Sequence, residues 1–424
     1  METPAATPTS AWRWIPSLYF AQGLPYVAVM TLSVVMYKNL GVSNTDIAFY
    51  TGWLYLPWVI KPLWSPLVDL LGAKRRWITG LQFVLGAALA LVALTVPATE
   101  FFRYSLAMFW LLAFSSATHD IAADGFYLLA LPAADRAAFV GVRSTFYRLA
   151  MIAGQGGIVY LAGAWQERTG DLRQAWLMMF VLLAVFFCLV ALYHWFALPR
   201  PAEDGAAPAQ AGWLEIFAGF FRRKDLGLVL AFLLLYRLGE SQLVKMIQPF
   251  LLDARATGGL GLTTKQVGLV NGVGVVTLLL GGLLGGYLIS RHGLKRMLWP
   301  MLLIMHVPNI AYVFLALAQP ESLTIIGGAV ALEQLGYGFG FTAYMVYLML
   351  TAEGPHKTAH YAIGTGFMAF GMMVPGMAAG WIEDHIGYVN FFIWVCVACV
   401  PSFAAAALIK IDPAYGRKVS SGGT

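Results

Sequence analysis

The sequence predicts an all-α membrane protein with twelve transmembrane helices in two six-helix bundles. Three observations predict it: the composition, the spacing of the apolar runs, and a short motif repeated at equivalent places in the two halves. Of 424 residues, 59% are hydrophobic and 11% charged, whereas soluble domains run near about 25% charged. Mean hydropathy is +0.71. Twelve spans of about 20 residues need about 240 apolar-rich residues, and a 59% share of 424 supplies them. This excludes an ordinary soluble enzyme.

Apolar runs place spans near 14–37, 46–70, 77–97, 104–131, 138–163 and 175–198. A second set falls near 225–252, 265–290, 298–318, 323–351, 359–381 and 389–409. The expected organisation is an N-terminal bundle over 1–198, a Pro-, Ala- and charge-rich linker over 199–224 with a short amphipathic helix, a C-terminal bundle over 225–409 and a tail over 410–424. Basic residues set the orientation. With the N-terminus inside, about sixteen Lys and Arg fall on the cytoplasmic side against about six opposite. Both termini and the linker are therefore expected in the cytoplasm, with no cleavable signal peptide ahead of the first span.

The net charge of +6 comes from basic residues scattered over short loops. They form no patch or aromatic-interleaved stripe, so nucleic acid is not an expected partner. Cys396-x-x-Cys399 lies inside a span without a second ligand pair and reads as two small lipid-phase residues. No metal or cofactor is expected. The histidines are dispersed, with no nucleophile–base or metal set, which argues against a membrane enzyme.

After span 2 the chain reads Asp69-Leu-Leu-Gly72-Ala-Lys74-Arg75, and after span 8 it reads Ser290-Arg-His-Gly293-Leu-Lys295-Arg296. Identical spacing at equivalent span boundaries is what parallel six-span repeats require. It is also the pattern of the major facilitator superfamily, whose loop here helps hold a cytoplasmic gate. Ser290 replaces the acid in the second copy, so only the first can make that motif's charge interaction. Two repeats with gate-like loops suit alternating access better than a permanent channel.

Ionisable residues inside spans cost about 2.5–3.5 kcal/mol each on insertion scales and each needs a reason. The spans hold Lys61, Asp120, Asp124, Arg143, Arg148, Arg237, Glu240, Lys245 and Glu333. Asp120 and Asp124, four apart, share a helix face. At 1.5 Å per residue they lie about 16 and 10 Å from the cytoplasmic end, with Arg148 near about 15 Å and Lys61 near about 14 Å. Adjacent carboxylates disfavour joint ionisation while a nearby cation favours it. Such a balance serves proton coupling or, alternatively, a static network. Arg143, near a helix end, reads as a snorkelling or neutralising charge. Arg237 and Glu240 form an internal helix pair, or one of them faces the cavity. Tyr236 shares one face with Glu240, and Tyr19, Tyr26, Tyr147, Tyr337, Tyr344 and Tyr361 offer stacking surfaces, each also explicable as packing.

The chain resembles the AmpG-type muropeptide permeases and the related acetyl-coenzyme A transporters. The resemblance rests on Tyr19-x-x-Gln22-Gly23-Leu24-Pro25, Lys61-Pro-Leu63-Trp64-Ser65-Pro66, Ala117-Thr118-His119-Asp120-Ile121-Ala-x-Asp124-Gly125, Tyr147-Arg148-Leu149, Tyr236-Arg237-Leu238-Gly239-Glu240 and Thr358-Ala359-His360-Tyr361. It spans nearly the whole chain, although His119 and His360 stand where the family usually has Gln. The resemblance implies proton-driven import of a sugar–peptide cell-wall fragment across the inner membrane by a monomer. Asp120 and Asp124 would be the coupling acids, and Lys61, Arg148, Arg237 and Glu240 the charge network. Apart from the resemblance, Gln22, His119, Glu333, His360 and the tyrosines are the candidate solute contacts by residue type. Siderophore importers and acyl-coenzyme A carriers share the scaffold. Reporter fusions at Ala207 and at Gly423 are both expected to report cytoplasm, and a periplasmic signal from either contradicts the two-half organisation.

Overall fold

The computed structural model describes residues 11–70, 72–201, 204, 218–352 and 357–417. The fusion points Ala207 and Gly423, and most of the amphipathic helix expected in the linker, lie outside them. Helices follow one another along the described chain. α1 is Ile15–Asn39, α2 is Asn44–Trp53 continued by Leu56–Leu70, α3 is Lys74–Thr95 and α4 is Phe101–Ala130. α5 runs from Ala133–Met151 into Val159–Thr169, and α6 is Leu172–Ala197. After the linker come α7 (Leu226–Leu252), α8 (Thr264–His292), α9 (Leu294–Ala318) and α10 (Leu323–Thr351). The stretch Lys357–Ala398 bends at Gly387 (φ 74°, ψ 162°), separating α11 (357–386) from α12, which continues through Val400–Leu408.

Among the described residues eight stretches are long and apolar enough to cross a membrane by length and composition, one of them the bent 50-residue stretch Ala359–Leu408. α2, α5 and α10 fall outside that set for reasons visible in their sequences. α2 is interrupted at 54–55, α5 carries Arg143, Arg148 and several glycines, and α10 carries adjacent Glu333 and Gln334.

By contacts the chain divides into two units. The first holds Met1–Val42, Leu54–Ala211 and Thr263–Leu269, and the second holds Ser43–Trp53, Gly212–Leu262 and Val270–Thr424. The first segment of α2 thus groups with the C-terminal helices, and the first turns of α8 with the N-terminal ones. Glycines permit these approaches. A Cβ at Gly380 would lie 2.0 Å from the Asn44 carbonyl oxygen, and one at Gly163 would lie 2.1 Å from the Lys265 nitrogen. In the first unit, Gly23 on α1 meets Ala150 and Tyr147 on α5, and Gly154 meets Val27. Each of these two helices carries a π-helical turn there, at Ala28–Leu32 and Ile152–Ile158.

The repeated loops behave alike in backbone and differently in side chains. Gly72 (φ 120°) and Gly293 (φ 84°) both hold left-handed conformations that favour glycine. The helix following each loop lacks a capping side chain of its own and borrows one from downstream. Asp204 of the linker accepts from the Lys74 and Arg75 backbone nitrogens at 2.7 and 3.1 Å, and the Tyr415 carbonyl accepts from Leu294 N at 3.0 Å. A carboxylate at a helix N-terminus also complements the helix dipole. Arg75 is buried and donates to the Leu198 and Trp195 carbonyls that end α6, whereas Lys295 and Arg296 are exposed. The Lys74 stem lies over Gly125. Asp69 occupies the end of α2, and its side chain lies outside the described set.

Where the second unit begins, Arg223 grips the Asp225 carboxylate through two hydrogen bonds of 3.1 and 3.2 Å, which lower its pKa below the usual carboxylate value. A Cβ at Gly72 would meet nothing within 4 Å, so a side chain there obstructs no neighbouring helix. Its cost is backbone strain, about 1–2 kcal/mol for an L-residue in left-handed space. Gly72→Leu is therefore expected to slow transport with membrane insertion intact. Uptake at the wild-type rate would show that the loop is a generic turn.

Candidate functional site

In the first unit the two acids of α4 have different partners. Asp120 accepts from Trp58 Nε1 at 3.1 Å and from the Gln22 side chain, with Lys61 close enough to act on it electrostatically. Asp124, one turn further along, is ion-paired to Arg143 at 2.9 Å, the side chains being 45% and 31% exposed. Tyr19 donates to the same Asp124 oxygen at 3.3 Å. The Arg143 guanidinium lies 4.6 Å from the Tyr19 ring centroid and 5.1 Å from that of Tyr127, a cation–π arrangement that holds it over α1 and α4. Arg143 is thus a neutralising charge, as its place near a helix end suggested, and its partner is Asp124.

Depth from a helix end says nothing about which helices face each other, so it does not identify Asp124 as the partner of Arg143. Trp58 escaped because an indole carries no charge to draw notice. Around them, Tyr26 packs edge-on against Trp58 at 5.4 Å, and Tyr147 lies within electrostatic range of Asp120, Tyr26 and Arg148. His119, by contrast, is 1% exposed and belongs to a chain of hydrogen bonds. Its Nε2 meets Gln82 Nε2 at 3.1 Å, Gln82 Oε1 meets His194 Nδ1 at 2.9 Å, and His194 Nε2 meets Ser17 Oγ at 2.9 Å. This chain ties α4, α3, α6 and α1 together.

In the second unit α7 is broken at Tyr236–Arg237. Tyr236 donates to the Gly340 carbonyl at 3.0 Å and Tyr344 donates to the Leu233 carbonyl at 2.9 Å, so α10 braces the break from both sides. The Arg237 guanidinium hydrogen-bonds the Tyr337 hydroxyl and lies 5.3 and 4.8 Å from the Tyr337 and Phe341 ring centroids. Glu240, in the first turn of the second segment, is fully buried, as is Glu333. Buried Lys245 donates to Thr51 Oγ1 at 2.9 Å. His360 packs edge-on against Phe220 at 5.6 Å, and Tyr361 is half-buried against the C-terminal core. Cys399 is 2% exposed and accepts from Asn309 Nδ2 at 3.5 Å, so it is a packing residue between helices and not a lipid-facing one. Among the described residues no three His, Cys, Asp or Glu side chains are placed to hold a metal.

This helical architecture, with ionisable residues buried inside each unit, is that of a multi-pass membrane protein. The chain matches the sequence profile of the Major Facilitator Superfamily over residues 17–239 and 234–423 and belongs to that family. It is 29% identical over 410 residues to the anhydromuropeptide permease of Escherichia coli (strain K12), covering 94% of this chain and 80% of that one. A Rickettsia conorii protein named as an AmpG transporter is 23% identical over 406 residues, covering 91% and 93%. Among solved structures, a bacterial homologue of the lysosomal transporter Spinster superposes with a TM-score of 0.69 at 15% identity, covering 95% and 96%. A D-xylose-proton symporter superposes with a TM-score of 0.69 at 12% identity, covering 98% and 100%. These superpositions speak to fold.

The pairing predicts a specific mutational pattern. Arg143→Gln and Asp124→Asn are each expected to reduce transport at least ten-fold, because each leaves its partner unpaired. The double variant is expected to be no worse than either single one, since paired residues are not additive. If Arg148→Gln pairs with Asp124→Asn in such a cycle and Arg143→Gln does not, the assignment is wrong.

Proposed function

We propose that this chain is a proton-coupled secondary transporter that imports an anhydromuropeptide, a sugar–peptide cell-wall fragment, into the cytoplasm by alternating access. The observation that carries the coupling is the asymmetry of the α4 acids. Asp120 is held by two neutral donors, Trp58 and Gln22, so it can gain and lose a proton without breaking a salt bridge. Asp124 is committed to Arg143. The cargo follows from similarity along nearly the whole chain to a permease for anhydromuropeptides.

The solute-facing role falls to aromatic residues that keep exposed area. Tyr26, Tyr147, Tyr337 and Tyr361 are half-buried, whereas Tyr19, Tyr236 and His119 are buried in packing. A ring that keeps exposed area can stack on a sugar or peptide plane. In this reading the protein resides in the inner membrane with both termini in the cytoplasm, as the basic-residue asymmetry requires. Siderophores and acyl-coenzyme A are the alternative cargoes.

Proteoliposomes under an imposed proton gradient, offered labelled anhydromuropeptide, ferric siderophore and acetyl-coenzyme A side by side, test the cargo. Accumulation of the muropeptide alone is expected, and accumulation of either other solute in its place overturns the assignment. Asp120→Asn, a fixed neutral mimic, is expected to lose uphill uptake while retaining exchange of labelled for unlabelled solute. Retained uphill uptake in that variant would leave Asp120 in a static network.

A further inference from the structure

The second unit buries two carboxyl groups that the α4 pair does not account for. Glu240 and Glu333 are each 0% exposed and close enough to interact electrostatically. Glu333 Oε2 accepts from Tyr312 OH at 3.3 Å and from Gln334 Nε2 at 2.9 Å. Its other oxygen, both oxygens of Glu240 and the side-chain oxygen of Asn309 accept no hydrogen bond. Four enclosed acceptor atoms therefore lack a hydrogen. Asn309 spends its amide on Cys399, whose sulfur lies where a Cβ on Gly239 would be, 2.3 Å away. This gathers Glu240, Asn309 and Cys399 around the crossing of α7, α9 and α12.

Two helix interruptions meet here. α7 breaks at Tyr236–Arg237, and α9 passes through a tight turn at Val307–Asn309. The rings of Tyr236 and His306 lie 6.1 Å apart between them. Glu240 sits in the first turn after the break, where the partial positive charge of a helix N-terminus favours a carboxylate. Arg237 adds a full positive charge within electrostatic range. Its guanidinium is turned to Tyr337 and Phe341, and it donates no hydrogen bond to Glu240.

The titratable groups that act on the pair are Arg237 on α7, Tyr312 on α9 and Cys399 on α12, with His306 beside Tyr236 at the break and Tyr337 on Arg237. Lys245, further along α7, is engaged with Thr51. One arginine and one helix end balance one carboxylate, and two carboxylates are present. Full enclosure excludes a solute of muropeptide size, and among the described residues no three ligating side chains are gathered for a metal. The occupant that fits is a proton, which binds a carboxylate oxygen as an O–H bond and converts an acceptor into the missing donor.

We propose that Glu240 and Glu333 form a second proton-binding site, in the C-terminal unit, that adds one proton per transport cycle to a cycle that runs uphill only when Asp120 also carries its proton. The proton enters from water on one side of the membrane and leaves to water on the other. This rests on the carrier reading above. Two measurements on the full-length protein in proteoliposomes separate it from that reading.

Infrared difference spectroscopy needs no substrate. Wild type is expected to show a protonated-carboxyl carbonyl band that Glu240→Gln or Glu333→Gln removes. Tyr312→Phe, which keeps both carboxyls, is expected to shift its frequency. A band unchanged in all three variants overturns the site even if transport proceeds as proposed. The second measurement is the slope of log accumulation of labelled anhydromuropeptide against the pH difference. One coupled proton contributes about ten-fold accumulation per pH unit, so either Gln variant is expected to lower the slope by one. An unchanged slope with the band removed overturns the coupling role. No accumulation by wild type overturns the cargo reading and leaves the infrared result to decide the site.

Discussion

A charge placed in hydrocarbon costs several kcal/mol unless something in the protein answers it, and the arrangement of this chain follows from that constraint. Each unit answers its own charges. In the first, Arg143 is held between Asp124 and two tyrosine rings, while Asp120 takes neutral donors and the nearby Lys61. In the second, Arg237 lies against Tyr337 and Phe341 beside a break in its helix. Other polar groups form helix-to-helix bonds, such as the reciprocal amides of Gln248 and Asn271 at 3.1 Å. What is left with protons to exchange is a short set of carboxyl groups.

The same constraint explains the glycines and the irregular turns. Helices that trade hydrogen bonds and ion pairs must come close, and small residues at crossings allow it. Gly23, Gly239 and Gly338 all stand where a Cβ would fall within 3.0 Å of an atom on another helix. The π-turns of α1 and α5 and the break in α7 lie beside these contacts and beside the ionisable residues. Such interruptions are stable in a membrane only where neighbouring helices satisfy the freed backbone, as Tyr344 does for Leu233.

Much of this was legible in the sequence. Composition and apolar runs carry the helical fold, and the repeated Gly-x-Lys-Arg loops mark equivalent turns whose glycines both adopt positive φ. The spacing of Asp120 and Asp124 correctly put two acids on one face. Partner choice was not legible. Arg143, Trp58 and the chain from His119 through Gln82 and His194 to Ser17 join residues on different helices, and axial depth carries no information about facing directions. The break in α7 has no proline or glycine at Tyr236–Arg237 to announce it. Glu333 reads as a solute contact from its residue type alone, whereas its full burial places it among buried polar groups.

The central claim is that solute and proton move together through the titration of buried carboxyl groups. The most direct measurement adds unlabelled anhydromuropeptide to the protein in proteoliposomes, with no imposed gradient, and follows external pH. The account predicts a substrate-dependent alkalinisation outside the vesicles that disappears in Asp120→Asn. Entry of the solute without any proton movement would contradict it.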